Sequence, residues 1–227
     1  MPASDDALLA EFGAAGRSGA KPDAIAINRR VVTLLAAIGA ARIPGIRNLH
    51  PAYSTLLVVF DPLRWTHAAL IESLSRLAAE LPASSPARPL IPVPMCCDAE
   101  FAPDLEWLAG QAGLPAAGTA GLFSSVVYRV AFLGFAPGFP YLLGLPERLA
   151  APRLESPRVR VPAGSVAVGG NQAGIYPNES PGGWRIIGRT PLRLFDTQRE
   201  PMSLFEPGDE VHFYPVSRAQ FEELAAG

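Results

Sequence analysis

Glycine and proline are concentrated in one run of the chain, from Phe132 to Asp196. The run contains Leu133-Gly134-Phe135-Ala136-Pro137-Gly138-Phe139, Val161-Pro162-Ala163-Gly164-Ser165-Val166 and Gly188-Arg189-Thr190-Pro191. Glycine permits positive φ, whereas proline fixes φ and removes a backbone donor. A segment this rich in both can form only short strands joined by shaped turns. Because Arg, Asn, Gln and Tyr are interleaved with these turns, we expect the run to build a binding or catalytic site.

Length and composition exclude several classes of protein. The 227 residues suffice for one large domain or two ordinary ones, and a formal net charge of −2 argues against nucleic-acid binding. The two cysteines, Cys96 and Cys97, are neighbours, so they cannot join distant parts of the fold or supply the spacing of a zinc site. The acidic N-terminus lacks a signal-peptide pattern, and no apolar stretch has the length expected of a membrane span. We therefore expect a cytoplasmic protein.

The first 94 residues predict alternating strands and helices. Asp23 is placed to cap a helix that ends before Pro44-Gly45, and an apolar stripe predicts a second helix over Trp65–Leu81. The last strand of the series contains prolines, which confine it to a sheet edge. The order is βαββαβ, the pattern of a ferredoxin-like domain. Its predicted strands are 7–12, 46–50, 54–60 and 90–93.

Residues 95–227 differ from the first part in sequence pattern, since glycine and proline interrupt them often. The segment 82–94, rich in proline and serine, precedes them. One helix is predicted from Pro103 to Gly110, and the rest reads as short strands separated by turns. This pattern is typical of a β-barrel or a sandwich, so the fold class is α+β with a second, β-rich domain. The strands expected in it are 126–133, 165–168, 184–187, 192–195 and 210–214.

Several kinds of catalytic site do not fit the run. The histidines, His50, His67 and His212, all lie outside it. Gly164-Ser165-Val166 lacks the second glycine of a nucleophile elbow. The stretch 169–174 has glycines without the Lys-Ser/Thr of a Walker loop, and a tight loop between two strands explains it equally well. The sequence therefore predicts no catalytic triad and no metal site.

Arginine is the residue that points to chemistry here, because its rigid charged fork suits a carboxylate or a phosphate. Arg160 and Arg189 adjoin shaped turns, and Gln172 lies between them in sequence; a solvated surface position is the alternative for either arginine. We predict these three as the catalytic groups. Aromatic residues of the run could line a pocket or form core. The predicted substrate-binding residues are Phe135, Pro137, Gly138, Phe139, Tyr176, Ser180 and Trp184.

The glycine- and proline-rich motifs of the run resemble the family of the 5-oxoprolinase B subunit. They are Leu133-Gly134-Phe135-Ala136-Pro137-Gly138-Phe139, Val161-Pro162-Ala163-Gly164-Ser165-Val166, Gly174-Ile175-Tyr176-Pro177, Ser180-Pro181-Gly182-Gly183-Trp184 and Gly188-Arg189-Thr190-Pro191. That family also includes the Kip inhibitor of a sporulation histidine kinase and proteins labelled allophanate hydrolase subunit 1. The resemblance implies a ferredoxin-like domain followed by a cyclophilin-like β-barrel. The chain departs from the family pattern in two places. Phe123 or a neighbour stands where the family often has a histidine shortly before the strand at Val126, and Cys97-Asp98 stands where it often has Tyr-Gly or Tyr-Asp.

The resemblance implies one component of an enzyme that opens the lactam of 5-oxoproline to glutamate, driven by ATP hydrolysis, together with the A and C subunits. In this interpretation the barrel cleft holds the amide or its phosphorylated intermediate through Arg160, Arg189 and Gln172, and ATP binds the complex or this chain. Two alternatives stay open: a protein-binding inhibitor of a histidine kinase, and a component of an allophanate or urea amide hydrolase. None of these interpretations requires a nucleic acid, a membrane or a metal.

Overall fold

The computed structural model describes residues 1–13, 23–81 and 87–226, which form two compact units, Met1–Ala87 and Arg88–Gly227. In the N-terminal unit the predicted order of strand, helix, strand, strand, helix over residues 7–81 is observed, with one further strand at the N-terminus. The elements are β1 (Pro2–Ser4), β2 (Ala7–Glu11), α1 (Ala24–Ala41), β3 (Ile46–Pro51), β4 (Thr55–Phe60) and α2 (His67–Ala79).

Both helices of this unit begin at capping residues. The carboxylate of Asp23 accepts hydrogen bonds from the backbone N–H groups of Ile25 and Ala26, at 2.9 and 3.2 Å. The hydroxyl of Thr66 accepts one from Ala69 at the start of α2. These bonds satisfy donors that the first turn of a helix leaves free. The helices then bury their apolar stripes in one core with the inward side chains of β4.

By length and composition alone, α1 could cross a membrane, since its 18 residues have a mean hydropathy of 1.5. The expectation that no apolar stretch is long enough to span a membrane is therefore wrong by this criterion. Its buried residues Val31, Leu34 and Ile38 pack in the core of the N-terminal unit.

The strand predicted at 90–93 does not complete the N-terminal sheet. That sheet has the order β1-β2-β4-β3, so β1 takes the edge beside β2. The predicted strand, β5 (Leu90–Met95), pairs in parallel with β13 (Glu210–Pro215) of the C-terminal unit. Its prolines correctly indicated an edge strand, but they carry no information about which sheet has the edge. The βαββαβ prediction is wrong at its last strand for this reason.

The C-terminal unit is built mainly of short strands. Seven of them form one sheet with the order β12-β9-β10-β7-β6-β13-β5, and β8 pairs with β11. Besides β5 and β13, the elements are α3 (Leu105–Ala112), α4 (Ala116–Ser124), β6 (Val127–Leu133), β7 (Pro140–Leu143), a 3₁₀ helix (Glu147–Leu149), β8 (Arg158–Val161), β9 (Ser165–Gly169), β10 (Gln172–Ile175), β11 (Ser180–Gly182), β12 (Arg185–Arg189) and α5 (Arg218–Ala226).

The seven-stranded sheet nearly closes into a barrel. Cys96, directly after β5, and Arg189, the last residue of β12, donate their backbone N–H groups to each other's carbonyl oxygens, both at 2.9 Å. The first and last strands of the sheet order are thereby joined at one bridge, which leaves less of their edges exposed. Of the two predicted architectures, barrel and sandwich, the barrel is confirmed in this coarse sense.

Three local predictions in this unit need correction. Residues 192–195 form no strand, because the N–H of Leu192 donates to the hydroxyl of Thr190 in a local turn and Phe195 makes only an isolated bridge. The helix α4 was not predicted, because small and apolar residues lie on all of its sides and give no amphipathic period. The loop expected over 169–174 is only Gly170-Asn171, the two-residue connection of the β9–β10 hairpin.

A buried carboxylate holds α3 on the barrel. Asp104 accepts hydrogen bonds from the backbone N–H of Ile186 at 2.7 Å and from the guanidinium of Arg158 at 2.9 Å. It also lies 3.8 Å from the guanidinium of Arg185, which stacks 3.7 Å from the ring centroid of Trp107. Two arginines of the run therefore serve to neutralise a buried acid.

Three turns of the run interlock through their backbones. Gly164 donates to the carbonyl of Tyr176 at 2.7 Å, and Thr190 donates to the carbonyl of Gly164 at 2.9 Å. Gly164 has φ of +79°, and a Cβ atom there would collide with the carbonyl oxygen of Thr190. Only glycine fits this point. Part of the glycine content therefore serves close packing between turns rather than chemistry.

Replacing Asp104 with alanine should destabilise the C-terminal unit by about 3 kcal/mol, because two arginines and a buried N–H lose their acceptor. Urea unfolding followed by tryptophan fluorescence measures this in a Trp65→Phe background, in which Trp107 and Trp184 of the C-terminal unit give the signal. The matched control is Glu179→Ala, which removes an exposed ion pair to Arg160 and should cost less than about 1 kcal/mol. Equal effects of the two variants would contradict the assignment.

Gly164→Ala and Gly110→Ala should change stability in opposite directions. The first places a Cβ at positive φ against Thr190 and should cost about 2 kcal/mol. The second lies in α3 with nothing within 4 Å of the new Cβ and should add roughly 0.5–1 kcal/mol. The same unfolding experiment measures both, and a neutral Gly164→Ala would show that the turn can open without cost.

Candidate functional site

A cavity of about 540 Å³ lies in the C-terminal unit where the interlocked turns meet α5. Small-molecule pockets are typically ~300–1,000 Å³, so a compact ligand fits this volume. We call it the arginine cavity. Its walls are Ala163-Gly164, Pro177-Asn178, residues 189–193, Glu100-Phe101, and Arg218, Phe221 and Ala225 of α5.

The three arginines of the cavity differ in how they are neutralised. Arg193 lies 3.3 Å from the carboxylate of Asp196, and Arg218 lies 2.7 Å from both Glu100 and Glu222. Arg189 donates its Nε–H to the carbonyl oxygen of Ala163 at 2.8 Å. Among the described residues, no carboxylate lies within ion-pairing distance of Arg189. Its positive charge is therefore available to a ligand.

The ring of Phe101 holds two of these arginines at the wall. The guanidinium carbon atoms of Arg189 and Arg218 lie 5.3 and 4.3 Å from its centroid, within the range of cation–π attraction. Phe221 of α5 packs on the same ring, with centroids 4.6 Å apart. Sequence reasoning missed Phe101, Arg218 and Phe221 because they lie outside the Gly/Pro-rich run. No local signal marked them, since only the fold brings α5 to Arg189.

The predicted aromatic residues form a second cluster. Phe139, Tyr176 and Trp184 are almost fully buried, and the centroid of Phe139 lies 5.2 Å from that of Tyr176 and 5.7 Å from that of Trp184. Burial raises the pKa of the Tyr176 hydroxyl, against the opposing effects of a Trp184 backbone hydrogen bond and Arg153, so the phenol stays protonated. These three side chains act as core.

Phe135 is the member of the aromatic cluster that faces solvent. It is 63% exposed and has φ of +68°, which is uncommon for a residue other than glycine. It belongs to the β6–β7 turn with Pro137 and Gly138, and Gly138 packs tightly on Phe195. A strained, exposed aromatic residue costs about 1–3 kcal/mol and is a recurring feature of binding sites.

The other predicted site residues are not among those that line the arginine cavity. The side chain of Arg160 is 79% exposed and lies 3.6 Å from the carboxylate of Glu179. Gln172 is the half-buried first residue of β10. Ser180 lies in β11, and its buried hydroxyl has no hydrogen-bond partner among the described residues. Of the three groups predicted to be catalytic, the structure places only Arg189 in this cavity.

Phe123 and Cys97, at the two places where the chain departs from the family pattern, are both shielded from solvent, Phe123 fully and Cys97 in part. Phe123 is fully buried, and its ring centroid lies 5.0 Å from those of both Tyr128 and Phe213. A histidine is therefore not required at this place for packing. Burial raises the pKa of the Cys97 thiol to about 11, so Cys97 is a neutral thiol near pH 7. Within residues 1–13, 23–81 and 87–226, no cluster of histidine, cysteine and acidic side chains could hold a metal ion.

A family model and individual relatives place the chain in the same family. Residues 1–205 match the family described as carboxyltransferase domain, subdomain C and D. The 5-oxoprolinase B subunit of Escherichia coli O157:H7 is 42% identical over 172 residues, which covers 76% of this chain and 79% of that protein. The 5-oxoprolinase B subunit of Bacillus subtilis (strain 168) is 37% identical over 192 residues, with coverage of 78% and 79%.

Solved structures agree with this result. The crystal structure of TTHA0988 matches with a TM-score of 0.78 and 37% identity over 92% of this chain, which spans only 40% of that longer chain. The urea carboxylase of Kluyveromyces lactis matches with a TM-score of 0.73 over 96% of this chain and 22% of its own; at 22% identity it shows the fold alone. The chain thus belongs to the carboxyltransferase family of subdomains C and D, and within it to the 5-oxoprolinase B subunits.

Proposed function

We propose that this chain is the B subunit of an ATP-dependent 5-oxoprolinase, which hydrolyses 5-oxo-L-proline to L-glutamate together with the A and C subunits. The observation that carries the proposal is the 37–42% identity to proteins named as the B subunit of 5-oxoprolinase over three quarters of the chain. The arginine cavity supports it, because the substrate and product are both carboxylates and Arg189 has no acidic partner among the described residues.

The reaction needs an activated lactam, because an amide carbon is a poor electrophile. In the proposed sequence the lactam oxygen attacks the γ-phosphorus of ATP and ADP leaves. Water then adds to the activated carbon, and the ring C–N bond breaks with proton transfer to nitrogen, which leaves γ-glutamyl phosphate. A second water hydrolyses this acyl phosphate to glutamate and releases phosphate. Each step develops negative charge on oxygen, which fixed donors stabilise. ATP is proposed to bind the assembled complex.

Arg189 is the proposed anchor for the anionic part of the substrate or intermediate. We propose Arg160 and Gln172 as further donors in the assembled enzyme, where the other subunits would complete the site. The turn with Phe135, Pro137 and Gly138 would form an apolar wall for substrate, backed by Phe139, Tyr176, Ser180 and Trp184. The strained and exposed Phe135 supports that role.

We also propose that the N-terminal unit is a ferredoxin-like domain, with β1 in the place of the usual last strand, and that the C-terminal unit is a cyclophilin-like barrel. The order β2-α1-β3-β4-α2 and the nearly closed sheet support this interpretation. A metabolic enzyme of this kind is expected in the cytoplasm.

A second candidate is a component of an enzyme that acts on urea or allophanate. The putative urea carboxylase of Emericella nidulans favours it, although 29% identity over 56% of this chain is weaker support than the oxoprolinase relatives provide. The two candidates differ in substrate. Assaying the reconstituted complex with 5-oxoproline, urea and allophanate separates them.

In the reconstituted three-subunit complex, Arg189→Gln should lower kcat/KM for ATP-coupled glutamate release by at least about thirtyfold, or roughly 2 kcal/mol. The loss follows from removing the one cavity arginine that has no acidic partner among the described residues. Arg189→Lys should recover part of it, because the charge remains while the bidentate geometry is lost.

The matched control is Arg76→Gln, the same change at an exposed position of α2. It should leave kcat/KM within about twofold. If Arg189→Gln stayed within about threefold, roughly 0.7 kcal/mol, the proposed role of Arg189 would be wrong.

A further inference from the structure

We propose that the arginine cavity is an oxyanion-binding site, which takes the carboxylate or phosphate of a compact ligand and is completed by the C-terminal helix α5. This proposal rests on the proposed function in one respect, because Arg189 is also the proposed anchor for the substrate of the enzyme. It adds Arg218, Phe101 and Glu100 to the site, and it assigns a class of ligand that binding to the chain itself can test.

The charges of the cavity favour an anion. Arg189, Arg193 and Arg218 line it, with Glu100 as the acidic residue of the lining. Arg193 and Arg218 are held by carboxylates, whereas Arg189 bonds to the neutral carbonyl of Ala163. A guanidinium that uses one donor on a carbonyl keeps its terminal N–H groups for a planar carboxylate or a phosphate. Arg189 is therefore the anchor.

The position of α5 is firmly set. Ser217 and Gln220 form a reciprocal cap: the Ser217 N–H donates to the Gln220 side chain at 2.9 Å, and the Gln220 N–H donates to the Ser217 hydroxyl at 3.3 Å. Phe221 then packs with Cys96 and Phe101. These contacts fix Arg218, the first residue of α5, at the cavity wall.

This helix lies beyond residues 1–205, the part of the chain that matches the family. One wall of the cavity, with the second arginine on Phe101, is therefore built by a segment outside that match. The class of ligand follows from these side chains and not from the family likeness.

Glu100 sets how strongly the site attracts an anion. It lines the cavity and binds Arg218 at 2.7 Å, and Glu222 binds the same guanidinium. A ligand oxyanion near Arg218 would be repelled by Glu100 and would compete with it. Because Glu222 remains, Arg218 stays in place when Glu100 loses its charge. Removal of that charge should therefore strengthen binding.

The remaining wall is apolar, with the ring of Phe101 and the side chains of Pro191 and Leu192. A ligand with one oxyanion and a small apolar body suits this combination. A lactam carboxylate and a phosphorylated intermediate share this chemistry.

The test is an NMR titration of the full chain with inorganic phosphate, with 5-oxo-L-proline and with uncharged 5-oxoprolinamide, each to about 50 mM, which reveals dissociation constants of order 10 mM. We expect at least one of the two anions to bind and the amide to bind at least about tenfold more weakly. Arg189→Gln should weaken binding of that anion by at least about tenfold, and Arg76→Gln should leave it within about twofold.

Glu100→Gln gives the result that a purely structural role would not produce. It should tighten anion binding by about threefold, and added KCl should weaken binding in every variant that retains it. Circular dichroism of each variant shows whether it is folded, so that lost binding is read only from folded protein.

The outcomes separate the two sources of the oxyanion. Binding of phosphate alone supports a phosphoryl site, and binding of 5-oxo-L-proline alone supports a substrate-carboxylate site. Binding of neither, or binding that Arg189→Gln leaves unchanged, overturns the proposal. If anions bind as expected while the reconstituted complex fails to hydrolyse 5-oxoproline, the proposed function fails and the oxyanion site stands.

Discussion

The backbone pairing of Cys96 with Arg189 is the constraint on which the C-terminal unit depends. Two hydrogen bonds of 2.9 Å join the end of β5 to the end of β12, across more than ninety residues of chain. Such a long connection costs chain entropy that burial of the barrel core must offset. The same pairing fixes the main chain at Arg189, which lines the arginine cavity, and at Cys96, which packs with Phe101 and Phe221 of the cavity wall. The closure of the sheet and the geometry of the site therefore have one origin.

The arginines near this closure have divided roles. Arg158 and Arg185 neutralise the buried carboxylate of Asp104, and Arg193 and Arg218 have acidic partners at the cavity. Arg189 is bonded to a carbonyl instead. Among the arginines that line the cavity, Arg189 is therefore the one without an acidic partner in the described part of the chain. The surrounding turns hold their shape because Gly164, Tyr176 and Thr190 share backbone hydrogen bonds.

Much of the N-terminal unit could be predicted because its signals are local. Asp23 caps α1 through residues two and three positions away, as predicted, and the two helices follow their apolar periods. The assignment of residues 90–93 failed because parallel pairing with β13 joins segments far apart in sequence. The helix α4 was missed since a helix without a polar face has no period to detect.

The sequence by itself determined that the Gly/Pro-rich run consists of short strands and turns, with β9 and β12 close to their predicted places, and it determined the Asp23 cap and the family resemblance. Each of these depends on neighbouring residues or on a contiguous motif. The tertiary structure alone decided which sheet β5 joins and which cavity arginine lacks an acidic partner in the described part of the chain. It also decided that Phe101 and Arg218, outside the run, would stand beside Arg189. The physical reason is that charge neutralisation and sheet closure are contacts between distant residues, and spacing along the chain does not encode them.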